Sequence, residues 1–175
     1  MIESFISGYG CAGTWKNCKD FGSNYFSLNG RCTSFIMNVT SPPINASYYK
    51  NYVPFNFSID RPASFISYAL NNNTPVNVTG SKNLTNLAKG WNNIAVFAKD
   101  TSGNMGSSNT TSFFYCLADV NGDGVVNMRD IGLEIQYFGK KCGDINYNSI
   151  YDLNDDCRID MRDIGIATAN FGTCK

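Results

Sequence analysis

Apolar and polar positions alternate with a period of two in several short runs between residues 33 and 116, and the pattern then shifts to a helical spacing. Short alternating runs set off by turn residues predict an antiparallel β-sandwich. Strands are expected over 33–40, 53–60, 65–70, 75–79, 93–99 and 110–116. Pro42 and Pro43 close the first strand, Asn71 to Thr74 form a tight hairpin, and Ser102, Gly103 and Asn104 tolerate positive φ before the last strand. Tyr68, Leu70, Leu84, Leu87, Trp91, Ile94, Val96 and Ala98 are the expected core. Residues 1–32, rich in glycine and carrying three cysteines, read as a loop-rich segment in which Trp15, Phe21, Tyr25 and Phe26 can pack on the sandwich.

Beyond Cys116 the chain repeats itself. Residues 119–139 align with 152–172 at an offset of 33, with ten of 21 positions identical. Ile131, Ile135 and Phe138 follow i, i+4, i+7 spacing, with Ile164, Thr168 and Phe171 in register, so each copy predicts an amphipathic helix. A Phe-Gly pair ends each copy, which suits glycine just past a helix end. Residues 140–151 are a short connector with room for another helical turn.

The 175 residues, 43% of them hydrophobic, can bury a core. Fourteen basic and fourteen acidic side chains cancel, which argues against a nucleic-acid partner. The balance hides two opposite halves: residues 1–115 carry net +4 and residues 116–175 net −4. Histidine is absent, which removes Ser-His-Asp and Cys-His catalysis and mixed Cys/His zinc sites, so no enzymatic activity is expected of this chain. No apolar stretch approaches the ~20 residues of a membrane span. Seven cysteines without a C-x-x-C pair point to disulfides in an exported protein, whose leader would lie upstream of this numbering.

Seven N-x-[ST] sequons stand at Asn38, Asn45, Asn56, Asn72, Asn77, Asn83 and Asn109, and none follows. Asn38, Asn56 and Asn77 each sit between apolar strand neighbours, so alternation places them on outward faces as candidate glycosylation sites. A strand face merely rich in Asn and Thr would look the same.

Tyr68-Ala-Leu-Asn, the run from Leu84 through Gly90 to Val96, and Ala98-Lys-Asp100-Thr-Ser-Gly103-Asn104 resemble the immunoglobulin-like modules of prokaryotic surface proteins. The resemblance implies an extracellular spacer or adhesive unit without catalysis.

The repeat carries the sharpest chemistry. Asp119, Asn121, Asp123, Asn127 and Asp130 occupy positions 1, 3, 5, 9 and 12 of a calcium loop, with Gly124 at position 6 and the Val125 carbonyl at position 7. Ca²⁺ takes six to eight hard oxygen ligands, which is why alternate residues must turn inward. An Asx-rich turn capping a helix could supply some of these residues, but not five spaced positions twice over. In the second copy, Asp152, Asn154, Asp156, Asp160 and Asp163 keep the oxygen positions and Arg158 supplies the carbonyl. Cys157 replaces the turn glycine there. Positive φ at a non-glycine residue costs about 1 kcal/mol, so the second of two Ca²⁺ sites is expected to be weaker unless a disulfide holds the turn.

Two loops each followed by a helix resemble the dockerin module, over residues 118–175. The resemblance implies calcium-dependent docking of a cohesin-like partner, chosen at loop positions 10 and 11. These hold Met128-Arg129 and Met161-Arg162, unlike the Ser-Thr pair common in cellulosomal members, and their repetition would permit two docking orientations. Cys116 and Cys174 are placed to clasp the ends of the module, leaving Cys142 and Cys157 as a second pair and Cys11, Cys18 and Cys32 in the N-terminal segment; connectivity stays open.

The expected organisation is a cysteine-containing segment over 1–32, an immunoglobulin-like β-sandwich over 33–116 and a small α-helical dockerin-like module over 117–175. The leading expectation is a non-catalytic docking protein of the cell surface. Two alternatives stand beside it: a self-assembling subunit of a glycosylated filament or surface layer, and the C-terminal part of a secreted polysaccharide-active enzyme.

Overall fold

The computed structural model describes residues 25–28, 31–34, 36–101 and 105–174, with side chains from residue 36 onward. The elements in chain order are β1 (Tyr25–Leu28), β2 (Arg31–Ser34), β3 (Met37–Ser41), β4 (Ser47–Tyr48), β5 (Val53–Ile59), β6 (Phe65–Leu70), β7 (Val76–Asn77), β8 (Lys82–Leu84), β9 (Gly90–Lys99), β10 (Met105–Ser107), β11 (Thr111–Tyr115), β12 (Val125–Val126), α1 (Met128–Gln136), α2 (Met161–Ala169) and β13 (Gly172–Thr173). A mostly β region, with strand orders β4-β11-β9-β6-β7 and β3-β5-β8, precedes a C-terminal region with two short helices. The fold class is the one the alternation predicts.

Packing divides the described residues into two compact units. The first holds those up to Ser41 together with Asn56–Ser81 and Ile94–Thr111. Here β3 runs antiparallel to β5 with Asn38 opposite Ser58, and β6 pairs with β9 from Phe65↔Lys99 to Leu70↔Ile94. Met37, Tyr68, Ile94, Val96 and Ala98 are buried, drawn from both sheets. Asn71 and Asn72 both take positive φ, and the Asn73 amide donates to the Leu70 carbonyl at 3.0 Å, closing the expected hairpin.

The second unit holds Pro42–Phe55, Lys82–Asn93 and Ser112 onward. Val53, Phe55, Leu84, Phe113, Tyr115 and Val126 are buried hydrophobic residues on its strands. β4 runs parallel to β11 with Phe114 opposite Ser47, and the ladder continues as Cys116 N–H donates to the Tyr48 carbonyl and Ala118 N–H to the Tyr49 carbonyl, both at 2.8 Å.

Several expectations are corrected. The run read as one strand over 33–40 is split, with β2 ending at Ser34 and β3 starting at Met37, and the last residues of the segment read as loop-rich pair as the β1–β2 hairpin. Trp91 is not in the core: it is 60% exposed, edge-on to Phe114 with ring centroids 5.5 Å apart. Alternation along β9 gives the inward place to Asn92, fully buried, whose side-chain amide donates to the Ala88 and Gly90 carbonyls at 2.8 and 3.0 Å. Leu70 and Leu87 are half-buried. The 102–104 turn and Trp15 and Phe21 lie outside the described residues, and of Tyr25 and Phe26 only the backbone is described.

Candidate metal centre

Both acidic loops fold on backbone amides in the same way. Asp119, at position 1, accepts from the amides of Asp123 and Gly124 at 3.1 and 2.8 Å, and Asp152 accepts from those of Asp156 and Cys157 at 3.2 and 2.9 Å. Asn121 and Asn154 accept from Asp123 and Asp156 at 2.8 and 2.9 Å, and the position-5 carboxylates accept from Val125 and Arg158, each at 3.0 Å. Oxygen side chains short enough to bond their own backbone two residues on are what let such a loop curl inward.

The loop ends are helix starts. Asn127 accepts from Arg129 N–H, and Asp160 from Arg162 N–H, at 2.8 Å each. Each helix carries a reciprocal capping box, with Asp130 and Asp163 reaching back to the Asn127 and Asp160 amides at 2.9 and 2.8 Å. The other oxygen of each turns to its loop: Asp130 accepts from Asn121 at 3.3 Å, and Asp163 from Leu153 at 2.8 Å. One carboxylate therefore caps a helix and closes a loop.

The two repeats also hold one another. Val126 lies opposite Gly172 in the β12–β13 pair, while Ile159, its equivalent 33 residues on, exchanges bonds with Gly139 and Lys140 at 2.8 and 2.9 Å. The carbonyls of Gly124 and Cys157, both at position 6, accept from Cys174 and Cys142 at 3.1 and 3.0 Å. Disulfides Cys116–Cys174 and Cys142–Cys157 tie the same junctions. Cys157 takes a φ of 66°, the left-handed conformation its glycine counterpart takes at 83°. Cys11 and Cys18 lie outside the described residues, and of Cys32 only the backbone is described.

Negative charge is concentrated in the buried parts of both loops. Asp119, Asp130, Asp152 and Asp163 are 0 to 4% exposed. The ion pairs of the described acidic loops reach other residues, joining Lys50 to Asp155 and Arg162 to Asp156. Burial pushes the Asp119 and Asp163 carboxyls above their ordinary range. Buried carboxylates are ordinarily paired with cations or bound to metal, so the donor chemistry fits a dication in each loop. No three Cys, Asp or Glu side chains form a metal cluster among the described residues. A cation would therefore draw on Asn121, Asn127 and Asn154 amide oxygens and the Val125 and Arg158 carbonyls as well, the mixed oxygen set that calcium accepts. The second loop has an extra bond, from the Tyr147 hydroxyl to Asp152 at 2.6 Å.

The helix faces differ from the periodicity reading. Ile135 is 55% exposed, and Phe138 and Phe171 lie past the helix ends, also exposed. The inward residues are Asp130, Ile131 and Glu134 in α1, and Asp163 and Ala167 in α2. Because the closing aspartate must face its loop, the inward stripe is centred on it and Ile135 falls outside. The glycines follow the same shift. The C-caps are Tyr137 and Asn170, so Gly139 and Gly172 stand two residues past them rather than at the first position beyond. The connector forms turns rather than a helix, with Tyr137 stacked on Tyr151 at 4.4 Å.

Glu134 escaped the sequence reading. It is fully buried, neither carboxylate oxygen has a hydrogen-bond partner among the described residues, and burial, reinforced by Asp163 and Asp130, pushes its carboxyl up to about 8. Its signal was a charged residue three places after Ile131, where the second repeat has Ala167. Met128 and Met161 are 67% and 66% exposed, Arg129 and Arg162 are exposed beside them, and all seven sequon asparagines are exposed.

Residues 117–169 match the family model of the dockerin type I domain. The matched residues contain both acidic loops and both helices. No curated protein matches the chain. Among solved structures, the chain is similar to the fibronectin(III)-like modules of Clostridium thermocellum CbhA, with 16% identity over 46% of this chain and 94% of that one, and a TM-score of 0.41. It is also similar to an engineered protein (8% identity, 48% and 20% coverage, TM-score 0.40) and to the extracellular domain of a hybrid two-component system from B. thetaiotaomicron (16% identity, 51% and 12% coverage, TM-score 0.33). No helix among the described residues is long and apolar enough to cross a membrane.

Proposed function

We propose that this chain is an extracellular, non-catalytic docking protein whose dockerin region folds around calcium and binds a cohesin-like receptor. The observation that carries this reading is the pair of congruent loops, each enclosing buried carboxylates that no basic side chain among the described residues neutralises. Bound Ca²⁺ would balance the buried negative charge in each loop. Asp119, Asn121, Asp123, Val125, Asn127 and Asp130 would hold one ion, and Asp152, Asn154, Asp156, Arg158, Asp160 and Asp163 the other.

The chain's own part in docking falls to the residues just beyond each loop. The capping boxes fix the first turns of α1 and α2, so Met128 and Met161 project from rigid helix starts with Arg129 and Arg162 beside them. An apolar side chain flanked by a cation suits a receptor surface that is apolar with an acidic rim. Binding to immobilised cohesins, in millimolar calcium and again in EGTA, is the test. Calcium-dependent capture that Met128→Asp combined with Met161→Asp abolishes is the expected result. A fold indifferent to EGTA would sink the reading, and large calcium-dependent polymers of the protein alone would replace it with self-assembly.

A further inference from the structure

The asparagines of the strands fall into two groups. Asn92 and Asn93, neither in a sequon, are built into the fold: Asn92 is fully buried and bonded to two carbonyls, and Asn93 accepts from the Ser112 hydroxyl at 2.7 Å. Asn38, Asn56, Asn77 and Asn83, all in sequons, are exposed, and the fold uses none of their side chains among the described residues.

The contrast is sharpest on β3 and β5. A sequon laid along a strand puts its asparagine and its hydroxyl residue, two places apart, on one face. Asn38 and Thr40 on β3, and Asn56 and Ser58 on β5, are exposed, while Met37 and Phe55 turn inward. Asn38 lies directly opposite Ser58, and Asn56 opposite Ser41. The outer face of this ladder is thus made of two complete sequons side by side. Asparagine is among the poorer strand formers, and an outward strand position would take threonine at lower cost. Its use at two mid-strand places, with no contact to make there, calls for another role.

We infer that the outer face of the β3–β5 ladder is an N-glycosylation site, with oligosaccharide on the amide nitrogens of Asn38 and Asn56. The donor is an oligosaccharide carried on a lipid phosphate. The asparagine nitrogen forms a bond to the anomeric carbon, the lipid-linked phosphate leaves with the electrons of the broken C–O bond, and the amide proton passes to base. β3 ends its sheet, so sugar on Asn38 also shields an edge against pairing with another chain. This inference shares with the docking reading only an extracellular setting.

Glycopeptide mass spectrometry of the protein purified from the cells that make it tests this. The expected result is sugar on more than half of the Asn38 and Asn56 peptides. Thr40→Ala and Ser58→Ala, expressed in the same cells, should each lose that mass while keeping the asparagine, and Thr40→Ser should keep it. Unmodified Asn38 and Asn56, or sugar confined to the other sequons, would overturn the inference. Calcium-dependent docking would be untouched by that outcome.

Discussion

Val126 and Ile159 stand at the same place in the two loops, both fully buried, and each is bonded to the chain that follows the helix of the other repeat. Neither loop can then be ordered alone: closing one fixes the strand that backs the other. Calcium should bind the two loops cooperatively, and Asp130→Ala in the first loop should weaken binding in the second by roughly tenfold, a coupling of about 1.4 kcal/mol. Calorimetric titration of the single-loop variants checks this. Independent sites with unchanged affinity at the intact loop would contradict it.

Cys157 gives a second prediction. It holds a left-handed turn and closes a bridge across a separation of 15 residues. Cys142→Ser leaves the strained turn in place and loses the bridge, worth about 3 kcal/mol for a loop of that length. Adding Cys157→Gly should recover about 1 kcal/mol of this, because glycine takes positive φ without strain. Thermal melts in calcium of the two variants beside the natural protein give the comparison. A double variant less stable than Cys142→Ser alone would rule out turn strain as the cost.

Glu134 sets a pH dependence. With its folded carboxyl near 8 against an ordinary 4.5, the folded protein holds a proton that the unfolded chain releases between those values. Stability should fall as pH rises through this window, and the fall should be complete above about 8. Calcium held as proposed would offset the charges of Asp163 and Asp130, so the slope should be steeper in EGTA, while the contribution of burial persists in both. Glu134→Gln should flatten the melting temperature between pH 5 and 9. A variant that keeps the natural slope would assign the dependence to other groups.

Gly90 supplies the fourth. At a φ of 95°, a Cβ placed there would lie 2.8 Å from the Cys174 carbonyl oxygen, a backbone atom with little room to retreat. Gly90→Ala should cost about 1–3 kcal/mol, and the loss should appear in the melting of the helical region. Trp91→Ala, next along the strand, removes one exposed edge contact and should cost only about 1 kcal/mol. Denaturant midpoints of the two variants test the ordering.

What the sequence made legible follows from where the physics is local. Loop turns, helix caps and strand alternation are set by neighbours a few places away, and β9 keeps the alternation from Asn92 to Ala98; at β7 it fails, because Val76, expected to face inward beside Asn77, is 53% exposed. The inward face of α1 was misread because Ile135 obeys the apolar period, whereas the closing Asp130 decides the register. Trp91 was misread because size suggested a core residue and alternation gave that place to Asn92. The pairing of Val126 and Ile159 with the opposite repeats joins residues more than 15 places apart, and no periodicity records it.

The two ends of the helical region meet at one bridge, Cys116–Cys174. The chain enters it along the parallel β4–β11 ladder, through the Cys116 and Ala118 amides, and leaves it at Cys174, which is bonded back to Cys116. Tension between a bound receptor and the rest of the chain would therefore be carried by two sulfur atoms and a ladder loaded in shear. A pull entering at Met161 would run down α2 to Cys174 and across to Cys116 without crossing a loop, whereas one entering at Met128 would cross residues 119–127, so only the first helix start would load the residues proposed to hold calcium.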